Sequence, residues 1–344
     1  MTAISEHPID RRQLLRITAV AGVSVVLGGG LVRGITQRLG LKQVRETRSL
    51  MGTLVVISVI HRDREVARRI MADTFNEMER LEGLLSRHRE GTPIWSLNQS
   101  GVVDSPPREV VEVVERALEY ATLTDGAFDI TVTPLLDLYT SSFTERGTHP
   151  STQELSRTLA LVGSENVTVG RGLISLEKAG MAITLDAIAK GYIVDRAVGV
   201  LNDQGVERVL VDAGGDMSSS GEGLLGGGWK IAIQDPRARD RALGTLELQG
   251  ESIATSGDYV QYLTEDMSTH HIVDPRTGRS PEHTSAVTIV TSSAMKADAL
   301  ATAVLVLGPE EGISLMNRLE DVEGMVVTKG QEIIVSKGLD RYFS

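Results

Sequence analysis

A pair of oxygen donors sets the first question about this chain. Asp298 and Thr302 stand four residues apart in Ala294-Met295-Lys296-Ala297-Asp298-Ala299-Leu300-Ala301-Thr302-Ala303, a helical pattern, so carboxylate and hydroxyl project from one face. Together they suit a hard cation such as Mg²⁺, which takes its other ligands from waters or phosphates. Taken alone, the pair reads first as a surface polar pair or a cap. His271 is the second candidate. It lies in His270-His271-Ile272-Val273-Asp274-Pro275-Arg276-Thr277-Gly278, beside a dense turn signal, where a histidine is either structural or a proton-handling group. Thr255-Ser256-Gly257-Asp258-Tyr259 adds hydroxyls, with no base evident at short range.

Other chemistries drop out. The chain has no cysteine, which removes thiolate zinc sites, iron–sulfur clusters and cysteine nucleophiles together. No H-E-x-x-H or G-x-S-x-G occurs. Gly214-Gly215 follows a strand-like run, but no G-x-G-x-x-G opens a helix there, and Gly226-Gly227-Gly228 sits in a loop before Trp229. Each reads as a tight turn rather than a phosphate cradle.

The elements that must position these residues come from a chain of 344 residues, 41% hydrophobic and 24% charged, ordinary values for a packed soluble protein. The net charge is −11, but the basic residues gather at the start. Residues 1–45 hold seven Lys/Arg and two acids, leaving 28 basic and 44 acidic residues, a net of −16, for 46–344. So acidic a body repels polyanions, and aromatic content of 3% offers few stacking platforms, so no nucleic-acid partner is expected. A phosphate-bearing ligand would need backbone amides or a metal to offset its charge.

Patterning predicts a strand over 54–60 and an amphipathic helix over 65–85, then a polar loop with Gly91 and Pro93. Helices follow at 107–123 and 151–162, and short strands at 166–185. A helix at 187–204, a strand at 208–212 and mostly strands over 229–291 come next. Helices at 294–307 and 309–320 and strands at 323–327 and 332–335 close the chain. There is no regular βαβ repeat and no linker within 47–344, which argues for one α+β globule. Ahead of it, Asp10-Arg11-Arg12-Gln13-Leu14-Leu15-Arg16 precedes an uncharged Ala/Val/Leu/Gly stretch from Ile17 to Val32. Residues 1–46 therefore read as a twin-arginine-type signal or anchor segment, which would place the body in the periplasm or at the outer face of the cytoplasmic membrane.

The candidate segments gain weight in order. The chain shows Met51-Gly52-Thr53, Asp125-Gly126-Ala127-Phe128-Asp129-Ile130-Thr131-Val132-Thr133-Pro134-Leu135, Asp186-Ala187-Ile188-Ala189-Lys190-Gly191-Tyr192-Ile193-Val194-Asp195, and Val209-Leu210-Val211-Asp212-Ala213-Gly214-Gly215-Asp216. Ala254 to Tyr259, His271 to Gly278 and Ala297 to Thr302 complete the series. It resembles the ApbE family of FAD:protein FMN transferases over nearly all of 47–344. The resemblance implies a T-fold-like domain with a mixed, largely antiparallel sheet and packed helices. It implies transfer of FMN from FAD to a Thr or Ser hydroxyl of a target protein through a phosphoester, with Mg²⁺ required and AMP released. The partners implied are FAD and an acceptor carrying a Thr/Ser flavinylation motif, such as a membrane redox subunit. Two other activities fit the same motifs: FAD binding without transfer, and metal-dependent FAD pyrophosphatase. On this resemblance the Ala187 carbonyl, Asp298 and Thr302 become metal ligands, and Asp298 and His271 the candidates for handling the hydroxyl proton. Met51, His88, Ala127, Phe128, Asp129, Thr184, Lys190 and Ile272 become contacts of the flavin and adenosine parts. Two positions depart from the family pattern: His88 replaces a frequent Tyr, and Asp212 an Asn before the Gly-Gly pair.

Overall fold

A computed structural model describes residues 40–344, apart from residue 239. The twin-arginine pair and the apolar stretch after it fall outside the described residues. The strands are β1 (Lys42–Leu50), β2 (Thr53–His61), β3 (Val102–Asp104), β4 (Val167–Gly170), β5 (Leu173–Leu176), β6 (Val209–Ala213), β7 (Asp216–Ser220), β8 (Trp229–Gln234), β9 (Ala242–Leu248), β10 (Ser252–Gly257), β11 (Thr284–Thr291), β12 (Val322–Thr328) and β13 (Ile333–Val335). The helices are α1 (Arg64–Leu85), α2 (Pro93–Ser100), α3 (Arg108–Leu123), α4 (Thr133–Arg146), α5 (Thr152–Leu159), α6 (Ala189–Asp203), α7 (Ala294–Leu307) and α8 (Pro309–Arg318). Among the described residues no helix is long and apolar enough to cross a membrane.

The body is built on an eight-stranded sheet in the order β1-β2-β6-β7-β10-β11-β12-β13. Every neighbouring pair in it is antiparallel, so the expected mixed sheet is here wholly antiparallel. Both faces are covered, and the strands divide their side chains with period two. Val55, Ile57 and Val59 of β2 and Val209 and Val211 of β6 face a core shared with α1 and α6. Val287 and Ile289 of β11 face α7 and α8. From the opposite face Ile60, Leu210, Ile253 and Val290 meet the β8–β9 hairpin through Trp229, Ile231 and Leu246. Helix α1 starts at Asp63, whose carboxylate accepts the Glu65 and Val66 N–H groups, and buries Ile70, Met71, Phe75, Met78, Leu81 and Leu85 at helical spacing. Helix α7 differs, with apolar side chains buried on nearly all sides. A charged residue inside it, Asp298, needs a specific reason.

Several sequence expectations shift in detail. The folded body already includes Lys42–Glu46, which pair with Ile57–His61. The segment at 93–100, expected as a loop, is helical: Thr92 caps it by accepting the Trp95 N–H, and Pro93 occupies the first turn. The strand-rich reading of 229–291 fails for residues 258–283, where Tyr262↔His270 forms only an isolated bridge.

Candidate active site

Two hairpin turns come together at one end of the sheet. Met51-Gly52 joins β1 to β2 with both residues at positive φ, 52° and 69°, as a two-residue turn demands. Gly214-Gly215 joins β6 to β7, at 66° and 107°. A Cβ on Gly214 would lie 2.3 Å from Thr53 Oγ1, so the turns touch. The same register brings the C-terminal end of β10 to this end, and Lys190 in the first turn of α6 reaches Asp216 there.

Helices α6 and α7 meet almost backbone to backbone. A Cβ on Gly191 would lie 2.2 Å from the Ala294 carbonyl oxygen and 2.7 Å from Met295 Cα. That approach lets the Gly191 N–H donate to Asp298 Oδ2 at 3.1 Å. The bond diverts this N–H from its usual helical acceptor four residues back, the Ala187 carbonyl, to which no backbone N–H among the described residues donates. Asp195, one turn further along α6, accepts from the Ala294 N–H at 2.7 Å, the Met295 N–H at 3.0 Å and the Ser293 hydroxyl at 2.7 Å. It caps α7 from the neighbouring helix, even though burial raises its carboxyl.

Around Asp298 the charges are concentrated. Lys190 Nζ lies 3.1 Å from Asp216 Oδ2, off the direction of a hydrogen bond, and that buried oxygen has no hydrogen-bond partner. Asp216 and Asp298 lie within hydrogen-bonding reach of each other, and both are pushed up. For Asp298 the causes are burial and then the Asp216 charge, partly opposed by Lys190 and the Gly191 N–H. Burial works against the Lys190 ammonium, but Asp216 and Asp298 outweigh it and hold it charged. Asp212 accepts the Gly215 N–H at 3.1 Å, and burial pushes its carboxyl up to about 6. Two close carboxylates resist joint ionisation until a cation joins them.

A divalent cation fits these residues. Asp216 Oδ2 is a buried oxygen short of a donor, the Ala187 carbonyl lacks its helical N–H, and Thr302 Oγ1, 3.1 Å from Ser256 Oγ, adds a hydroxyl on the Asp298 face. Among the described residues no three carboxylate or imidazole side chains form a metal cage. A cation here would complete its shell with ligand oxygens, as Mg²⁺ does beside phosphates.

His271 lies near enough to Lys190 and Asp186 for both charges to act on it. Its Nδ1 lies 2.9 Å from the Gln261 carbonyl oxygen. A carbonyl only accepts, so Nδ1 carries the hydrogen and Nε2 is left as the acceptor. Burial lowers the imidazole's pKa and favours this neutral form.

The remaining sequence candidates divide. Thr184 and Asp186 form one unit, the Asp186 N–H donating to Thr184 Oγ1 at 3.1 Å. His88 Nε2 lies 3.2 Å from Asp186 Oδ2, and Arg87 Nε 3.3 Å from the same oxygen. Burial would raise Asp186, but His88, Thr184 and Arg87 hold it at about 2. Ala127, Phe128 and Ile272 have buried side chains, and Phe128 packs edge-on against Tyr120, so these three offer a ligand backbone more than ring surface. Asp129 uses both carboxylate oxygens within the protein, on the Thr131 N–H and hydroxyl and the Ser164 N–H.

The decisive comparison is with a family model for the ApbE family, which matches residues 51–326, a range that takes in both hairpin turns and every candidate site residue from Met51 to Thr302. The chain belongs to the ApbE family. A relative from Klebsiella pneumoniae (strain 342), named FAD:protein FMN transferase, is 31% identical over 83% of this chain and 90% of its own length. One of the same name from Salmonella typhimurium is 28% identical over 92% of this chain and 93% of its own. Among solved structures, the ApbE protein of Thermotoga maritima superposes with a TM-score of 0.80 at 30% identity, covering 88% of this chain and all of its own. The flavin transferase ApbE of Vibrio cholerae gives 0.78 at 28%, covering 88% and 99%. The ApbE fold is thus shared along nearly the whole body. Within this ApbE chain, sequence reasoning did not assign roles to Asp216, Asp195 or Arg87. Asp216 and Asp195 stood inside quoted motifs, but only geometry shows one aimed at Asp298 and the other capping α7.

Proposed function

We propose that this protein transfers FMN from FAD to a Thr or Ser hydroxyl of an acceptor protein, forming a phosphoester and releasing AMP, with Mg²⁺ required. The reading is carried by one convergence: a buried pair of carboxylates, Asp298 and Asp216, beside the Lys190 ammonium, itself within charge range of a histidine whose Nδ1 is held by a carbonyl. Family membership supports it. The Ala187 carbonyl, Asp298 and Thr302 would hold the metal, with Asp216 beside them. Bound there, Mg²⁺ screens the pyrophosphate and stabilises the phosphate charge on departing AMP.

The protein's own groups then have distinct tasks. Lys190 holds a positive charge in an otherwise acidic site, favouring an approaching pyrophosphate. His271 Nε2 accepts the proton of the acceptor hydroxyl as its oxygen bonds to the FMN-side phosphorus, and the bond from that phosphorus to the bridging oxygen breaks. The bridging oxygen and its electron pair leave with AMP. Asp298 suits metal binding better than base catalysis, since a metal-bound carboxylate is a weak base. The residues ahead of β1, as an export signal or anchor, would deliver this activity to the periplasmic side. Replacing Arg11 and Arg12 by lysine in a reporter fusion, with export lost as the expected result, tests that placement.

The transfer reading is tested by incubating purified protein with FAD, Mg²⁺ and a Thr-containing acceptor. Covalent flavin fluorescence on the acceptor, with AMP in equal amount, is expected. AMP and free FMN with an unlabelled acceptor would show a pyrophosphatase, and unchanged FAD a binding protein. Asp298→Ala should abolish metal-dependent turnover, and full activity in that variant would sink the site assignment.

A further inference from the structure

His271 owes its tautomer to a carbonyl on the outgoing limb of its own loop, and that loop is fixed by charges outside the reacting cluster. Residues 258–271 leave β10 and return beside it, the Leu263 N–H donating to the Thr269 carbonyl at 2.8 Å and the His271 N–H to the Gln261 carbonyl at 3.0 Å. The Gln261 oxygen therefore receives both the main-chain and the Nδ1 hydrogen of His271. At the base of this excursion Asp258 is fully buried. It receives Arg237 as a two-point clamp, at 2.7 Å and 2.8 Å, and Lys329 Nζ at 3.3 Å. Lys329 also donates to the Met267 carbonyl at 3.0 Å, on the returning limb. Arg237 donates to Ser285 Oγ at 2.9 Å, and the Asp258 N–H to the Ser285 carbonyl at 2.9 Å, which anchors the assembly to β11.

We propose that Asp258, clamped by Arg237 and Lys329, is a positioning residue for His271: it fixes the Gln261 carbonyl that holds the imidazole as the Nδ1–H tautomer with Nε2 directed to the reaction. The kinetic consequence rests on the transfer reading above; the tautomer does not. Two cations in a phosphate-handling protein would be expected at the phosphates, yet these two turn away to a buried carboxylate. Buried ion clusters are weak net stabilisers compared with well-packed apolar side chains, and their best use is to enforce one geometry. Here both limbs of the segment are tied through one lysine, so loosening Asp258 frees the Gln261 carbonyl from two directions.

The test uses the full chain labelled with ¹⁵N-histidine, reading the His271 tautomer by long-range ¹H–¹⁵N spectra, and FMN transfer kinetics alongside. In Asp258→Asn the tautomer is expected to move toward Nε2–H, with kcat down about 10- to 100-fold, as small misplacements of a reacting group produce, and KM for FAD within about twofold. Arg237→Lys should retain more of the wild-type tautomer than Arg237→Met. If Asp258→Asn does not fold, Lys329→Met, which releases the Met267 limb, should show the same shift in smaller degree. An unchanged tautomer in the variants that fold, or a shifted tautomer with unchanged kcat, would overturn the proposal. A wild-type protein that labels no acceptor would sink the transfer reading alone, and the tautomer would still decide the positioning role.

Discussion

Replacing Gly191 by alanine separates the packing account of this site from ordinary helix propensity, because the two give opposite signs. Gly191 lies inside α6, where glycine to alanine normally stabilises by about 0.5–1 kcal/mol. Its missing Cβ, however, would fall 2.2 Å from the Ala294 oxygen and 2.5 Å from the Ala294 carbon, both main chain. Neither atom can swing aside, so α6 and α7 must part, at an overpacking cost of about 1–3 kcal/mol. Parting also weakens the Gly191 N–H bond to the Asp298 carboxyl and the Asp195 cap of α7, each worth about 1–2 kcal/mol. With the propensity gain subtracted, Gly191→Ala should destabilise by about 2–4 kcal/mol. Gly199 supplies the control: it lies in the same helix, and nothing stands within 4 Å of its added Cβ. Gly199→Ala should therefore be neutral to stabilising, by up to about 1 kcal/mol. Urea unfolding followed by circular dichroism, without added metal, reads both. Equal stabilities for the two variants, or a Gly191→Ala more stable than wild type, would refute the close approach of α6 and α7.

Other expectations follow from the same geometry. Asp212 sits near 6 in the folded chain against an ordinary 3.8, so the folded state keeps a proton the unfolded state has lost. The associated stability is full below about pH 4 and is lost as pH rises through about 6. Asp212→Asn, which can still accept the Gly215 N–H, should gain about 3 kcal/mol over wild type at pH 8 relative to pH 4 without metal. A pH-independent difference would count against it. Asp195→Ala removes three bonds to the start of α7 and should cost about 2–3 kcal/mol, measured by urea unfolding. Mg²⁺ should raise the melting temperature of wild type in a concentration-dependent way and leave Asp298→Ala unmoved, read by scanning calorimetry.

What the sequence disclosed tracks how locally each feature is determined. Helix α1 and strand β2 announce themselves because one face of each is apolar at the right period, and α7 matches its expected bounds of 294–307. Helix α4 escaped notice because its buried positions include Thr133, Tyr139 and Ser142, so polarity does not separate its faces. Strand β7, Asp216-Met217-Ser218-Ser219-Ser220, has little strand propensity and is buried because β6 and β10 flank it. At the site, Asp298 and Thr302 were legible as a pair from helical spacing. The pairing of Asp216 with Lys190 joins a strand to a helix, and the Gln261 carbonyl behind His271 belongs to an irregular loop, so no period of two or 3.6 residues records either contact. Nothing local marks Gly191 either: its close contact with the Ala294 backbone exists only once α6 and α7 pack together.

The wholly antiparallel sheet carries one more consequence, at its two outer strands. Among the described residues β1 and β13 each leave one row of N–H and C=O groups without a strand partner, a template on which another chain could add. The two are protected differently. β1 is nine residues long but carries Lys42, Arg45 and Arg48, so a second copy aligning there would bring like charges together. β13 is uncharged and exposes Ile333 and Val335, but its three residues are too few for a durable ladder. Charge guards the long edge and brevity the short one. Substitutions that neutralise β1 are therefore where this body would first lose its resistance to aggregation.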